Sequence, residues 1–307
     1  MYIVCVNSEA VCLPAVMKGT MLIFAAVCSL LCWMQPVGSK KISYIYRPKQ
    51  DAPPDIKLDM VENAVDDMYF GCNATMAEMV KNTYFKKENA GQFGKFWKLA
   101  KRCTNKNVEH IENGDKALTK DHLQAICVYT SGYQNFYETF NAAVRTERKN
   151  YASSFSFHSL HFWLTSAVQI LSNNRNCLTT YRRSKAVFKG KDKQMIRFGS
   201  FTSSSKKTDL TQFGSKTCFK IRTCSGAYLK NYPHLNNTEE EVLIPPYEMF
   251  QITAKIKNKS LEDLPDCEVV YVLESKGIQS NLNCSMIKKK DHWFFSWLSK
   301  MKTTLGI

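Results

Sequence analysis

The spacing of apolar residues changes at Cys177, and this change constrains the fold more than any other feature of the sequence. Before it, from 60 to 172, apolar residues recur at helical spacing, and 157–171 is apolar on most sides, as in a buried helix. After it, short β-branched and aromatic stretches alternate with Gly, Ser, Asn and Pro, which is typical of strands and turns. Helices followed by strands predict the α+β class.

The same patterns predict the elements themselves. Besides the buried helix, we predict helical segments over 63–84 and 118–145. Six stretches are typical of strands: 178–182, 194–201, 217–223, 241–244, 248–257 and 268–274. No Gly-rich phosphate loop is present, so a Rossmann-type dinucleotide fold is not indicated. We expect the chemistry in the β-rich half, 177–286, with the helical half, 60–172, packed over it.

Residues 1–39 are typical of a secretory signal peptide. A basic residue precedes an apolar run over 21–34, and the small residues Gly38 and Ser39 follow. Met17 is a possible alternative start. The competing interpretation is an uncleaved membrane anchor, but the run is slightly short for a membrane span. We therefore expect cleavage.

The expected mature product is one domain over 40–290 with a short tail over 291–307. A lipid-anchor signal needs about 10–20 apolar residues at the end of the chain, and this tail is too short and too charged. We expect a secreted protein that acts as a monomer and has no membrane anchor. Four glycosylation sequons fit secretion, at Asn73, Asn236, Asn258 and Asn283.

The cysteine content gives further information on the kind of protein. Eight cysteines lie beyond the predicted leader, and an even number in a secreted chain favours disulfides. No paired C-x-x-C motif is present, which argues against a zinc site.

Lys and Arg outnumber Asp and Glu by 42 to 27, for a formal net charge of +15. Such a surface attracts phosphates, nucleic acids, anionic glycans and acidic membranes alike.

Glu239 and Glu241 form the most informative pair of charged residues. On an extended strand, residues two apart point the same way, so both carboxylates would line one wall while Glu240 faces away. Such a pair can stabilise a developing cation and accept a proton, as glycosidic bond cleavage through an oxocarbenium-like state requires. The alternative is that the three glutamates form a solvated acidic edge.

Two other polar positions complete a candidate site. Arg182, which follows Tyr181, can offer a bidentate fork to phosphate oxygens. The alternatives are a surface salt bridge, or a functional role for Arg183 instead. Ser203, in the serine-rich stretch 197–205, offers a short hydroxyl group, and its alternative is a plain turn serine.

The order of these pieces resembles the vertebrate secreted and surface mono-ADP-ribosyltransferases that modify arginine. The family's Arg, Ser and Glu-x-Glu signature falls on Arg182, Ser203 and Glu239/Glu241. Four further segments look like family segments: DDMYFGC at 66–72, FNAAVR at 140–145, LHFWL at 160–164 and EEVLIPP at 240–246. The resemblance covers roughly 43–286. It implies a helical N-terminal part over a two-sheet β-core, with an NAD cleft between the sheets.

The resemblance also implies roles for the site residues, with NAD as substrate and no metal. Glu241 would bind the ribose 2′-hydroxyl and stabilise the cation as nicotinamide departs. Glu239 would accept a proton from the acceptor arginine, and Ser203 would brace the nicotinamide ribose or hold the catalytic carboxylate. Arg182 would bind the pyrophosphate, with Tyr181 beside it. The implied partners are arginine-containing proteins, not nucleic acids.

The family's disulfides and recognition loop map onto this chain as well. By position, the resemblance pairs Cys72 with Cys284 and Cys177 with Cys224. It places a substrate-recognition loop over 225–238. Within that loop Tyr228 or Tyr232 could stack on the acceptor or cover nicotinamide, and core packing is the alternative. The other four cysteines, Cys103, Cys127, Cys218 and Cys267, have no argued partner, and Cys127 reads as a plain core residue.

Two other functions remain open from the sequence. The first is NAD glycohydrolase activity, in which water replaces arginine at the same cation. An intact Glu239 argues against it as the main activity. The second is a non-catalytic cationic secreted protein that binds anionic surfaces through its charge.

Overall fold

Helices come first and strands second in the structure, which confirms the α+β class. The computed structural model describes residues 55–172, 176–235, 237–257 and 261–287. The predicted leader and tail lie outside them. The helices are α1 (Asn73–Met79), α2 (Phe85–Glu88), α3 (Gln92–Leu99), α4 (Lys101–Glu109), α5 (Lys120–Tyr129), α6 (Phe136–Thr146) and α7 (His158–Ser172).

The described residues form ten strands, one before the helices and nine in the second half, where strands were predicted. They are β1 (Ile56–Lys57), β2 (Leu178–Ser184), β3 (Phe188–Lys189), β4 (Met195–Arg197), β5 (Thr202–Ser205), β6 (Thr217–Thr223), β7 (Ala227–Tyr228), β8 (Glu241–Ile244), β9 (Glu248–Lys257) and β10 (Val269–Ile278). The predicted bounds of β6, β8 and β9 agree with the structure to the residue.

Eight of these strands form one hydrogen-bonded sheet in the order β4-β9-β10-β6-β2-β5-β8-β7, and β1 pairs with β3. The ladders β4-β9-β10-β6-β2 and β5-β8-β7 are joined by a single residue pair, Tyr181 with Ser205. The expected two sheets are therefore two ladders that meet at one point. This junction places Arg182 of β2 close to Ser203 of β5.

The predicted helix over 63–84 begins only at Asn73. The reason is the pair of buried carboxylates before it, whose hydrogen bonds compete with helix formation. Asp67 Oδ1 accepts the N–H of Tyr69 at 2.9 Å, which makes a local turn. Asp66 Oδ1 instead accepts the N–H of Asn281 at 2.9 Å, near the other end of the described chain.

The predicted helical segment over 118–145 is two helices, α5 and α6. Between them Gly132, Gln134 and Asn135 have φ of 65°, 47° and 54°. Left-handed backbone ends a right-handed helix. The break redirects the chain so that residues of both helices reach the same cleft.

The predicted strand over 194–201 is interrupted in the same way. Gly199 has a φ of +67°, and a Cβ atom at this position would collide with the side chain of Val61. Only glycine suits both conditions. The chain therefore leaves β4 after Arg197 and enters β5 at Thr202, which carries Ser203 to the junction of the two ladders.

Four disulfides staple the described residues. Cys72–Cys284 and Cys177–Cys224 are the two pairs that the resemblance implies. The other four cysteines are also bonded, as Cys103–Cys127 and Cys218–Cys267. The interpretation of Cys127 as a plain core residue is wrong, because it is buried but crosslinks α5 to α4. Pairing across packed helices leaves no spacing signal in the sequence.

Helix α7 forms the centre of the helical core. Trp163 stacks on Trp97 of α3 with ring centroids 4.8 Å apart. His158 and His161 on the same helix are buried and hydrogen-bonded, to the carbonyls of Tyr151 and Val65 respectively. Both histidines are thus satisfied core residues. None of the helices in the described part of the chain has the length and apolar composition needed to cross a membrane.

Candidate active site

A cavity of about 710 Å³ opens at the junction of β2 and β5. Its walls combine the two ladders with the facing helices α5 and α6. The predicted residues Arg182, Ser203, Glu239 and Glu241 all line it. The cleft therefore brings a guanidinium, a hydroxyl and two carboxylates together.

Arg182 is held at the floor of the cleft by its neighbour strand. Its Nη1 donates to the carbonyl oxygen of Ser203 at 2.6 Å. Burial lowers the pKa of the Arg182 guanidinium, and the nearby Tyr129, Tyr137 and Glu241 act in the opposite direction. One strong hydrogen bond leaves most of the guanidinium N–H groups available for an anionic ligand.

A surface salt bridge was the alternative interpretation of Arg182. In the structure the neighbouring Arg183 forms a salt bridge instead. Its guanidinium forms a bidentate pair with Asp266, at 2.8 and 2.9 Å, and its Nε donates to the carbonyl of Thr208 at 2.9 Å. Although Arg183 also borders the cleft, its donors are occupied. The geometry favours Arg182 as the arginine that meets the substrate.

Glu241 of β8 and Ser203 of β5 are diagonal neighbours across the β5–β8 pairing. In this register Ser203 lies opposite Leu243 and Ser205 opposite Glu241. Both side chains line the cleft. Burial raises the pKa of Glu241 to about 7, with a further increase from the charge of Glu239, while Ser203 and Arg182 act to lower it. This carboxyl is thus tuned to titrate near neutral pH.

Glu239 reaches the cleft by a different route from the one the sequence suggested. The strand β8 begins at Glu241, and Glu239 lies in the turn before it. Between them Glu240 has a φ of 44°, so the backbone is not extended there. The argument from strand alternation is therefore wrong, although both carboxylates do line one cavity. The Ser205 hydroxyl fixes the turn by donating to the Glu239 carbonyl at 2.5 Å.

Tyr181 borders the cleft but packs mainly on the other side of the sheet. Successive residues of a strand point to opposite faces, and Tyr181 contacts the cluster built around Cys218 and Cys267. Its ring lies 5.9 Å from Lys220 Nζ. Tyr181 is thus better placed to support the strand than to bind a ligand deep in the cleft.

The two tyrosines of the 225–238 loop do not line the large cleft. Tyr232 is buried, and its hydroxyl donates to Asp115 Oδ2 at 2.9 Å, so packing is its role. Tyr228 donates to Asn237 Oδ1 at 2.7 Å and lies under Lys206 Nζ, 3.4 Å from its ring centroid. Stacking of either ring on a cleft ligand is not supported by these positions.

Several cleft-lining residues of α5 and α6 were not predicted from the sequence, and Tyr129 and Asn141 are two of them. Tyr129 at the end of α5 donates to the Phe201 carbonyl at 3.0 Å, and Asn141 of α6 donates to the Tyr129 hydroxyl at 3.1 Å. Burial raises the pKa of Tyr129 to about 12. Helical spacing marked Tyr129 only as an apolar position. Asn141 lies in the FNAAVR segment that carried the resemblance, which was the one available signal.

Comparison with known proteins agrees with this geometry. The family model for NAD:arginine ADP-ribosyltransferases matches residues 58–264, more than half of the chain. The chain belongs to this family. NAD(P)(+)--arginine ADP-ribosyltransferase 2 of Gallus gallus is 31% identical over 242 residues, which cover 76% of this chain and 74% of the relative. T-cell ecto-ADP-ribosyltransferase 1 of Rattus norvegicus is 33% identical over 237 residues, covering 75% and 80%.

Solved structures of a mono-ADP-ribosyltransferase share the fold. The crystal structure of the eukaryotic mono-ADP-ribosyltransferase ART2.2 superposes with a TM-score of 0.62 at 33% identity, over 75% of this chain and 98% of that one. A mutant of ART2.2 in complex with NADH gives the same TM-score at 31% identity. In the present chain, the described residues include no group of three or more His, Cys, Asp or Glu that is placed to hold a metal ion.

Proposed function

We propose that this chain transfers ADP-ribose from NAD to arginine side chains of extracellular or lumenal proteins, with Glu241 as the catalytic carboxylate. Membership of the family makes it an NAD-dependent arginine ADP-ribosyltransferase. The observation that carries the assignment of residues is the convergence of Arg182, Ser203, Glu239 and Glu241 on one cleft. The cleft, of about 710 Å³, is large enough for a dinucleotide.

The reaction breaks the bond between the ribose C1′ and the nicotinamide nitrogen, and the electron pair leaves with nicotinamide. Positive charge then develops on the ribose. Glu241 stabilises this charge when ionised, because a fixed carboxylate in a partly dry cleft requires no solvent reorganisation. Ser203, which acts to lower the pKa of that carboxyl, favours its ionised form. Arg182, with free N–H groups, binds the pyrophosphate and fixes the far side of the bond.

Glu239 supplies the second function, the removal of a proton from the acceptor. An arginine guanidinium has a pKa of about 12.5–13.8 and is a poor nucleophile while protonated. As its nitrogen bonds to C1′, it releases a proton to the Glu239 carboxylate. Water at the same position would give free ADP-ribose instead, so some NAD hydrolysis is expected beside transfer.

Replacing Glu239 by Gln tests the division of labour between the two carboxylates. General-base contributions begin at about 10²-fold, so transfer to agmatine should fall by about 10²-fold. Nicotinamide release from NAD alone should change by less than about threefold, because Glu241 and Arg182 remain. The measurement follows labelled NAD into ADP-ribosyl-agmatine and free ADP-ribose. Equal loss of both products would contradict the assigned role.

The pH profile of NAD hydrolysis tests the ionisation of Glu241. Because its pKa is raised to about 7 and the ionised form is the active one, kcat/KM should rise through pH 7 and level off above it. Removing the neighbouring charge with Glu239→Gln should move the midpoint to lower pH, since Glu239 raises the pKa of Glu241. A flat profile between pH 5 and 8, or a midpoint that moves upward in the variant, would be incompatible with this proposal.

We also propose that the protein acts outside the cell as a monomer. Four disulfides support an oxidising compartment. Ecto-ADP-ribosyltransferase 4 of Homo sapiens is 31% identical over 80% of this chain, which agrees with that location. Expression in secreting cells, followed by separation of medium and membranes and by light scattering, would test release and oligomeric state together.

A further inference from the structure

Positive charge is concentrated in one segment of the helical half. Between 85 and 108 the sequence has seven Lys or Arg residues and a single acid, Glu88. The Glu88 carboxylate is buried and accepts the N–H groups of His158 at 2.8 Å and Ser159 at 2.9 Å, at the start of α7. Its charge is thus used inside the protein. The next acid along the chain is the exposed Glu109, at the end of α4.

Four of these cations lie on the outer surface of α3 and α4. The inward side of the two helices is defined by buried residues: Phe93, Phe96, Trp97, Ala100, Thr104 and Asn107. At 3.6 residues per turn, Lys95, Lys98 and Arg102 fall on the opposite side, and Lys101 lies at its edge. All four are exposed. We call these four residues the basic helical face, which is about 10 Å long at 1.5 Å per residue.

Several cations of the β-rich half have acidic partners, whereas the four cations of the basic helical face have none among the described residues. In the described strand half Arg183 pairs with Asp266, and other Lys and Arg residues pair likewise: Lys216 with Glu268, Lys220 with Asp263 and Arg222 with Glu274. Among the described residues, none of the four cations of the basic helical face forms an ion pair. Four cations without an ion pair, within about 10 Å on one helical surface, therefore form a local concentration of positive charge.

We propose that the basic helical face binds sulfated glycosaminoglycan chains at the cell surface or in the extracellular matrix. The proposal rests on the extracellular location inferred above. A row of flexible ammonium groups and a guanidinium suits a linear polyanion, because each can meet successive sulfates without a shaped pocket. Binding would release counterions and so depend strongly on salt.

The same face fits nucleic acids and membranes less well. Single-stranded nucleic acids are bound with exposed aromatic side chains for base stacking, and the aromatic residues of α3 are buried. Anionic lipids are concentrated in the cytoplasmic leaflet, away from a secreted protein. Interfacial helices also insert an apolar face, whereas here that face is in the core, and only Leu99 and Val108 are large exposed apolar residues between 85 and 108.

Heparin binding by the disulfide-intact secreted protein tests the proposal. The variant Lys95→Gln/Lys98→Gln/Arg102→Gln removes three charges from the face. Its matched control, Lys191→Gln/Lys257→Gln/Lys276→Gln, removes three exposed charges from the β-rich half. We expect at least a tenfold weaker Kd for the first variant at 0.15 M NaCl, and less than a threefold change for the control. The slope of log Kd against log salt should fall by about two to three in the first variant alone.

Transfer to agmatine separates this proposal from the proposed function. Both triple variants should keep wild-type transfer rates, since none of the six residues lines the cleft. Equal weakening of heparin binding in both variants would mean that net charge alone is responsible, and would overturn the proposal. Binding to phosphatidylserine vesicles or to DNA at least as tight as binding to heparin would overturn it in favour of those partners. If the wild-type protein binds heparin as expected but does not transfer ADP-ribose to agmatine, the result would count against the proposed function only.

Discussion

Replacing Glu241 by Gln is expected to slow nicotinamide release by about 10³-fold, whether or not an arginine acceptor is present. Removal of one preorganised group that stabilises developing charge costs about 10²–10³-fold in kcat, and in the proposed mechanism the ionised Glu241 is that group. Both transfer and hydrolysis pass through the same cation, so both should fall together. Nicotinamide release measured with NAD alone and with agmatine gives the two rates.

The control is Glu240→Gln, which changes the adjacent carboxylate outside the set of cleft residues. It should alter either rate by less than about threefold. Rates for Glu241→Gln within tenfold of wild type would exclude Glu241 as the catalytic carboxylate. A loss of transfer with normal hydrolysis would assign it the role proposed for Glu239.

The Glu241→Gln variant should be less active than the wild-type protein but at least as stable. The folded-state pKa of Glu241, about 7, is above its ordinary value of 4.5, so ionisation opposes folding. That cost is absent below the ordinary pKa, grows between the two values and is complete above pH 7. The neutral Gln variant should therefore melt at the wild-type temperature or higher at pH 8, and gain less at pH 5. A catalytic carboxylate held at such a cost is a common compromise between stability and activity.

The sequence was sufficient for six of the strands, β2, β4, β6, β8, β9 and β10, because each is bounded by turn residues, whereas β1, β3, β5 and β7 were not predicted. Thr217–Thr223 and Glu248–Lys257 follow this pattern and agree with the structure. The helical half was less predictable. The helix expected from residue 63 begins ten residues later because two aspartates bind backbone N–H groups. Asp67 accepts the N–H of Tyr69, two residues away, and Asp66 accepts the N–H of Asn281, which is distant in sequence. Local apolar spacing contains no record of those contacts.

The candidate site could be named from the sequence only through order and resemblance. Arg182, Ser203 and the two glutamates do share one cleft, but strand alternation was the wrong reason for the glutamates, since a left-handed Glu240 separates them. Tyr129 was missed because a buried helical tyrosine has the same spacing whether or not its surroundings form a cleft. Such roles depend on which helix faces which strand, and tertiary structure alone determines that.

The largest stability effect is expected at Arg197, at the start of the serine-rich stretch. Replacing it by Met should lower the free energy of unfolding by about 3–5 kcal/mol, the cost of leaving a buried charge without its partner. Both Arg197 and Asp66 have fully buried side chains, 0% exposed, with Nη1 donating to Asp66 Oδ2 at 2.7 Å. Arg197 also donates to the carbonyls of Met60 and Gln279, each at 2.8 Å. It thereby joins β4 to both ends of the described chain.

Urea unfolding with the disulfides intact measures this loss, and Arg222→Met is the matched control. Arg222 pairs with Glu274 at 3.5 Å with side chains 57% and 36% exposed, and such surface pairs contribute less than about 1 kcal/mol. Adding Asp66→Asn to Arg197→Met should recover part of the loss, because it removes the unpaired charge while its amide oxygen can still accept the N–H of Asn281. If Arg197→Met costs no more than the control, the buried pair does not hold these segments together. If the double variant is less stable than the single one, Asp66 stabilises the fold through its hydrogen bonds rather than through its pairing with Arg197.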